Sequence, residues 1–278
     1  MAFFILNTCS FESMRITDKI TSVKNTRIKN FQHLQKPRER REQNVFIIEG
    51  IKEIEKVVKS GYRFKSVYFC PAIISSDAVL DLIPTATDFF EISKEVYDKI
   101  AYRENSGGIV ALVTPRTHQL KDLQLPKTPL VLVLESVEKP GNLGALLRTA
   151  DAAGVDAVIV CDPQTDVYNP NAIRSSIGCV FTVPIAVSDS QETIAWLREN
   201  NINIYCTYLQ AAKPYHQTDF TVASAIVMGT EATGITDQWV AAATHNIIIP
   251  MQGEADSMNV STAAAVVIFE ACRQRGFE

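Results

Sequence analysis

The chain has six cysteines at positions 9, 70, 161, 179, 206 and 272, and no two of them form a C-x-x-C pair. That spacing suggests neither a zinc cluster nor a disulfide framework. The cysteines inside apolar runs, Cys161 and Cys206, read as small buried hydrophobes, and the compartment reads as a reducing cytoplasm. Histidine is scarce: of the four present, His33, His118 and His245 show no ligand spacing, and His216 sits in a polar loop, so no metal is expected. No apolar run approaches the roughly 20 residues that cross a bilayer. The greasy start, Ala2 to Leu6, has no basic residue before it and is shorter than a secretory core of about 7–15 residues. Translation from Met14 is the expectation, because domain-like sequence begins at Arg15.

What is present is the composition of a folded protein: 278 residues, 46% hydrophobic and 21% charged. The net charge of −4 runs against a nucleic-acid partner until it is split by position. Residues 1–125 carry 19 basic and 15 acidic side chains, and residues 126–278 carry 8 and 16. The excess lies in residues 1–44, with 9 basic against 4 acidic residues. Arg27, Lys29, Arg38, Arg40 and Arg41 in this segment are candidates to follow a phosphate backbone. A solvated charged helix is the alternative reading.

From Asn44 the apolar periodicity predicts a strand at Val45–Ile48, a helix over Gly50–Lys59 and a strand at Val67–Phe69. Helices follow at Asp77–Leu82 and Lys94–Ile100, and a strand closes the unit over 107–113. The stretch from Thr114 to Pro129 has three prolines and polar residues, which is linker chemistry. Two domains are expected, over residues 14–114 and 127–278. In the second, short apolar runs alternate with helical ones, as a parallel sheet requires. Strands are expected at Val131–Leu134, Ala157–Val160, Val183–Val187, Ile202–Thr207, Ala225–Met228 and Ile247–Ile249. Helices are expected near Leu143–Ala153, Ala172–Ile177, Gln191–Glu199, Asp237–Ala242 and Ser261–Arg275. The last is apolar nearly all round, so it is buried in a core or at a subunit interface.

Three loops follow strands and lead toward helices, where open α/β sheets bind ligands. The first runs from Glu135 to Gly144, with Asn142 placed to cap a helix and Arg148 about one and a half turns inside it. The second is Met228 to Gly234, containing Gly229 and Glu231. The third is Ile249-Pro250-Met251 through Ser257-Met258-Asn259-Val260-Ser261. Singly, each has a plain structural explanation as a turn or a helix start.

Taken together and in order, the three loops resemble the three motifs of the SpoU (TrmH-type) branch of the SPOUT RNA 2′-O-ribose methyltransferases, over roughly residues 127–275. A weaker similarity, through Asn25 to Lys29 and Phe46 to Gly50, relates residues 14–113 to the ribosomal-protein-like RNA-binding domain that often precedes that catalytic domain. The resemblance implies an α/β fold in which a C-terminal parallel-sheet domain carries a deep trefoil knot. It implies S-adenosylmethionine as methyl donor, held by Gly229, Ile249, Met251 and Met258. Met258 stands where leucine is more usual, a volume-conserving change. It also implies a catalytic Arg148 arranged by Asn142, Glu231, Ser257 and Asn259, a further RNA contact at Arg174, and a homodimer. Bringing a guanidinium from about 13 to about 7 costs on the order of 8 kcal/mol. The expected role of Arg148 is therefore to grip an RNA phosphate bidentately and orient the ribose hydroxyl, with the proton leaving to phosphate or water.

Ribosomal RNA is the expected substrate, with transfer RNA as the alternative. Two rivals stand beside this reading. One is a non-catalytic RNA-binding or assembly protein on the same fold. The other is a dinucleotide oxidoreductase, suggested by Gly141-x-x-Gly144 and by Asp162 about 20 residues later, although Leu147 occupies the third glycine position.

Overall fold

The computed structural model describes residues 16–83, 88–102, 106–211, 213–230 and 233–277. Residues 2–13, on which the expected Met14 start bears, lie outside the described residues. Among those described, twelve strands form two sheets.

The first unit runs β1 (Ile16–Ile20), α1 (Thr26–His33), α2 (Pro37–Gln43), β2 (Phe46–Glu49), α3 (Ile51–Lys59), β3 (Phe64–Phe69), α4 (Ser76–Leu82), β4 (Asp88–Ile92), α5 (Lys94–Ile100) and β5 (Ile109–Val113). Its sheet has the order β1-β4-β3-β5-β2. Strands β1, β4 and β3 are mutually parallel, and β5 runs antiparallel to both β3 and β2. The basic N-terminal segment is thus a strand and two short helices rather than one charged helix. Asn25 starts α1 by accepting a hydrogen bond from the Arg27 amide at 2.9 Å. Asn44 ends α2 in the left-handed conformation, φ 51°. β1 and β4 were not legible in the sequence, since β1 is largely exposed and polar.

The second unit contains β6 (Leu130–Glu135), α6 (Pro140–Ala153), β7 (Ala157–Cys161), α7 (Pro170–Ser175), β8 (Ile185–Ser188), α8 (Ser190–Glu199), β9 (Asn203–Thr207), β10 (Lys213–Pro214), β11 (Ser224–Met228), α9 (Asp237–Ala242), β12 (His245–Ile248) and α10 (Val260–Gln274). All seven strands are parallel, in the order β10-β12-β9-β11-β6-β7-β8. Every residue of β6, β7 and β11 is buried, because helices cover both faces, and this is why these strands read as continuous apolar runs. Cys161 and Cys206 lie in this core, where burial pushes both thiols up to about 12.

Helix α6 begins at Pro140, three residues before the expected start. Lys139 occupies the cap position and proline the first helical position, where a missing amide costs nothing. Asn142 therefore sits inside the first turn and does not cap the helix. Arg148 lies just over two turns in. Gly144 faces α7: a Cβ there would stand 1.9 Å from Ser175 Oγ and 2.7 Å from the Ala172 carbonyl, so this glycine serves helix packing. The apolar α10 buries Val260, Ala264, Val267, Ile268, Ala271 and Cys272 against α6 and β11, but its other face is open and Phe269 is 41% exposed.

The two sheets share one apolar cluster, in which residues of β2, α3, β3 and β5 pack with residues of α6, α7 and α10. Across this seam Phe46 stacks on Tyr168 (4.4 Å between centroids, 16°) and on Phe181 (5.7 Å, 19°), with Tyr62 edge-on to both Phe46 and Phe181. The proline-rich stretch 114–129 is not a free tether. Arg116 donates to the Ser60 and Gly61 carbonyls at 2.7 and 2.6 Å and lies over the Tyr62 ring, and its amide donates to Tyr168 Oη at 3.0 Å. His118 bridges Tyr168 Oη (2.8 Å) and the Ile185 carbonyl (3.2 Å), and Leu120 is buried on the far face of the parallel sheet.

Candidate functional site

The C-terminal ends of β9, β11 and β12 are neighbours in the sheet, and the loops leaving them enclose a cleft of about 520 Å³. This is where an open parallel sheet presents its ligand site. The loop after β11 is closed by paired backbone hydrogen bonds between Thr230 and Gly234 at 3.0 and 3.1 Å, and the Thr233 amide donates to Thr230 Oγ1 at 3.0 Å. Gly229 makes the fold-back possible. A Cβ there would lie 2.2 Å from the Gly234 carbonyl carbon and 2.4 Å from the Ile235 nitrogen. The close approach that demands glycine is to the loop's own backbone. Behind the loop, the buried Glu135 at the end of β6 accepts from the Thr236 amide (2.9 Å) and Thr236 Oγ1 (2.6 Å), tying the second loop to the strand that precedes the first.

The third loop connects β12 to α10. Asn259 caps α10 by accepting from the Ser261 amide at 3.0 Å and Ser261 Oγ at 2.6 Å. Its Nδ2 donates across to Asn142 Oδ1 at 3.4 Å. That hydrogen bond joins residues 117 positions apart and brings the first motif to the third. Ser257 is exposed and its hydroxyl donates to Asp256 Oδ1 at 3.3 Å.

The sequence-predicted donor residues Gly229, Ile249, Met251 and Met258 all line the cleft, together with Ser257 and Asn259. Asn142 reaches its rim through Asn259. Arg148 projects from the exposed face of α6, is not part of the cleft wall, and makes no ion pair among the described residues. Glu231 lies outside the described residues. Thr207, Tyr208, Gln210, Thr230, Val260 and Ala263 also line the cleft and were missed. The loop after β9 belongs to the site because β9 lies between β12 and β11, and strand order leaves no mark in periodicity. Lys213 pairs in β10 and His216 follows it in a 3₁₀ turn, and neither lines the cleft.

The basic candidates separate into two kinds. Arg27, Lys29, Arg38 and Arg41 are exposed on α1 and α2, with Arg27 over the Phe90 ring and Arg38 paired to Glu42 along its own helix. Arg40 is a correction. It is 4% exposed, donates to the Leu34 and Gln35 carbonyls at 2.8 Å each, and forms an ion pair with Asp166 of the second unit. A guanidinium so enclosed ties the two units together and offers nothing to RNA. Arg174 stands at the same junction, over the Tyr102 ring at 4.8 Å.

Asp162, the acidic residue on which the oxidoreductase reading depended, accepts from the Ser190 amide (3.2 Å) and hydroxyl (2.5 Å), and Trp239 in turn donates to that hydroxyl. It holds the start of α8. Among the described residues no group of three His, Cys, Asp or Glu side chains is placed to hold a metal, and no helix is long and apolar enough to cross a membrane.

Comparison with known proteins agrees with this arrangement. Residues 129–269 match the model of the SpoU rRNA Methylase family, and residues 25–111 match an MRM3-like substrate binding domain. The chain is 29% identical over 251 residues to the 23S rRNA (guanosine(2553)-2′-O)-methyltransferase RlmP of Bacillus subtilis, covering 90% of this chain and 98% of the relative. It is 40% identical over 174 residues to the 23S rRNA (guanosine-2′-O-)-methyltransferase RlmB of Photorhabdus laumondii, covering 60% and 71%. The crystal structure of an AdoMet-bound rRNA methyltransferase from Sinorhizobium meliloti superposes with a TM-score of 0.85 at 28% identity, covering 92% of this chain and 97% of that one. With all three motif loops gathered at one end of its parallel sheet, the chain belongs to the SpoU rRNA methylase family.

Proposed function

We propose that this protein transfers a methyl group from S-adenosylmethionine to a ribose 2′-hydroxyl of ribosomal RNA. The observation that carries the reading is the convergence of the second and third motif loops on one cleft, with Asn142 of the first motif bonded to Asn259 at its edge. The cleft fits the donor: about 520 Å³, walled by Met228, Ile247, Ile249, Met251, Met258 and Ala263, with Thr230, Thr233 and Gly234 at its wall for polar contacts. Bound there, S-adenosylmethionine supplies a methyl group activated by its sulfonium.

Apolar Ile249 and Met258 suit the adenine, and Asp256 at the rim suits a cation. Asn142, Ser257 and Asn259 present hydrogen-bonding groups at the mouth, where a ribose would enter. Arg148, outside the cleft on α6, is placed to grip a phosphate beside the target nucleotide rather than to touch the donor. Residues 14–114, with Arg27, Lys29, Arg38 and Arg41 outward, form the RNA-binding domain, and residues 127–278 the catalytic one.

We read the C-terminal segment as the trefoil knot of the family. In its support, α10 returns from β12, near one end of the sheet, to pack on α6 and β11. The exposed face of α10 around Phe269 supports a homodimer, and a substrate in ribosomal RNA supports a cytoplasmic location.

Incubation with methyl-labelled S-adenosylmethionine and separated ribosomal and transfer RNA tests the reading. Label recovered in alkali-resistant dinucleotides of ribosomal RNA is expected. Label in transfer RNA alone would move the substrate, and a protein that binds the donor and RNA without transfer would be the non-catalytic rival.

A further inference from the structure

The N-terminal sheet ends, on the side where β2 and β3 finish and β5 begins, in a surface that α1 and α2 do not account for. Tyr102 is 52% exposed there, with its amide donating to Glu49 Oε2 at 2.6 Å, and the Arg174 guanidinium lies over its ring. Ile51 and Ile73 at the same sheet end are 39% and 44% exposed. Between them the chain turns through Gly107 and Gly108, at φ +80° and +78°. A Cβ on Gly107 would lie 2.8 Å from Ile51, and one on Gly108 2.7 Å from Ile73, so bare backbone lies between these side chains. Two half-exposed isoleucines thus flank a bare backbone turn at the sheet end that also carries Tyr102, an apolar surface of the kind that takes a partner.

We propose that Tyr102, backed by Arg174, is a stacking platform for an unpaired base of the substrate RNA. An aromatic ring with a cation on one face and solvent on the other is the arrangement on which single-stranded bases stack. Glu49 and Glu53 line the hollow behind the pair, together with Gln35, Pro170 and Ile173. Carboxylates this close repel a phosphate, so the occupant of the ring's open face is a base and not the backbone. Position supports the same occupant. Arg174 and Ser175 close α7, and Ser175 Oγ donates to the Pro140 carbonyl at 3.4 Å, at the start of the helix that carries Asn142 and Arg148. Gln35 joins α1 to α2. The platform thus stands between the exposed cations of the first unit and the mouth of the donor cleft.

The inference rests on the proposed RNA methylation and makes Tyr102 a positioning residue for it. The test uses full-length protein and the shortest ribosomal RNA fragment that the wild type methylates. Tyr102→Ala is expected to raise KM for that RNA about tenfold, the loss of one stacked base, with kcat at saturating RNA and S-adenosylmethionine affinity unchanged. Tyr102→Phe and Tyr102→Trp should restore KM, because stacking needs the ring and not the hydroxyl. Ultraviolet cross-linking of 4-thiouridine-substituted RNA should label the tryptic peptide 100–103. Tyr102→Ala with wild-type KM overturns the platform alone, as does an unchanged RNA affinity accompanied by loss of self-association. A wild-type protein that binds and methylates no RNA overturns the proposed function together with the platform.

Discussion

The seam between the two sheets and the donor cleft are built from opposite materials. At the seam, side chains do the joining: Arg40 reaches Asp166, Lys56 donates to Cys179 Sγ at 3.3 Å, Tyr62 and Tyr168 meet hydroxyl to hydroxyl at 3.3 Å, and Phe46 and Phe181 stack around them. At the cleft, backbone does the shaping. Gly229 folds a loop on itself, Asn259 caps a helix and Ser257 stands exposed, as does Arg148 outside the cleft on α6. A region whose polar groups are already paired resists movement, and one whose polar groups face solvent is ready for a ligand. The first unit is joined to the second through paired side chains, and the cleft beyond that seam is walled by loops with exposed residues such as Ser257 and Asn259.

The sharpest test of that contrast is Arg148. Arg148→Ala should reduce kcat about a thousandfold, the scale on which removal of one organising charge acts, while leaving S-adenosylmethionine affinity untouched in calorimetry. Arg148→Lys should recover little, since a point charge does not reproduce a bidentate grip. Near-normal turnover by the lysine variant would end the bidentate assignment.

At the seam, Arg40→Ala leaves Asp166 and two carbonyls without their donor. Urea unfolding should register a loss of about 3 kcal/mol, with RNA affinity of the folded protein unaltered. A drop in RNA affinity without a drop in stability would instead return Arg40 to the RNA surface.

Gly229→Ala should displace the 229–235 loop and weaken donor binding about thirtyfold, corresponding to about 2 kcal/mol of overpacking, and leave RNA binding intact. The pH dependence of the seam is the smallest effect. Burial lowers the pKa of His118, with the nearby Arg116 adding to the shift against the raising effect of the Ile185 carbonyl. The unfolded chain therefore takes up a proton more readily below about pH 6.5, so stability should be flat above that value and decline as pH falls. His118→Asn should flatten the slope measured by thermal melts between pH 7 and pH 5.

Much of the second unit was legible because a parallel sheet covered on both faces writes its strands as unbroken apolar runs. Leu130–Glu135, Ala157–Cys161 and Ser224–Met228 are found within a residue or two of their sequence-based positions. Glycine and asparagine marked the second and third motif loops for a local reason, since the folded-back turn at Gly229 and the helix cap at Asn259 demand those residue types, whereas in the first Asn142 caps nothing and Gly144 serves helix packing. The first unit was harder. β1 is exposed and polar, and Arg40 looks like any surface cation until its partner Asp166, 126 residues away, is seen. Composition also misled at 114–129, where prolines signal a tether but Arg116 and His118 are bonded to both units.

The third motif, Ile249 to Ser261, shows the division most clearly. Local chemistry determined its shape, because Asn259 caps α10 through its own neighbour Ser261 whatever surrounds it. Its meeting with Gly229 and with the loop after β9 was decided by strand order, which places β9 between β12 and β11, and the hydrogen bond from Asn259 to Asn142 by the packing of α10 on α6. Hydrophobic periodicity encodes which residues are buried, and only the tertiary fold decides which of the buried strands become neighbours.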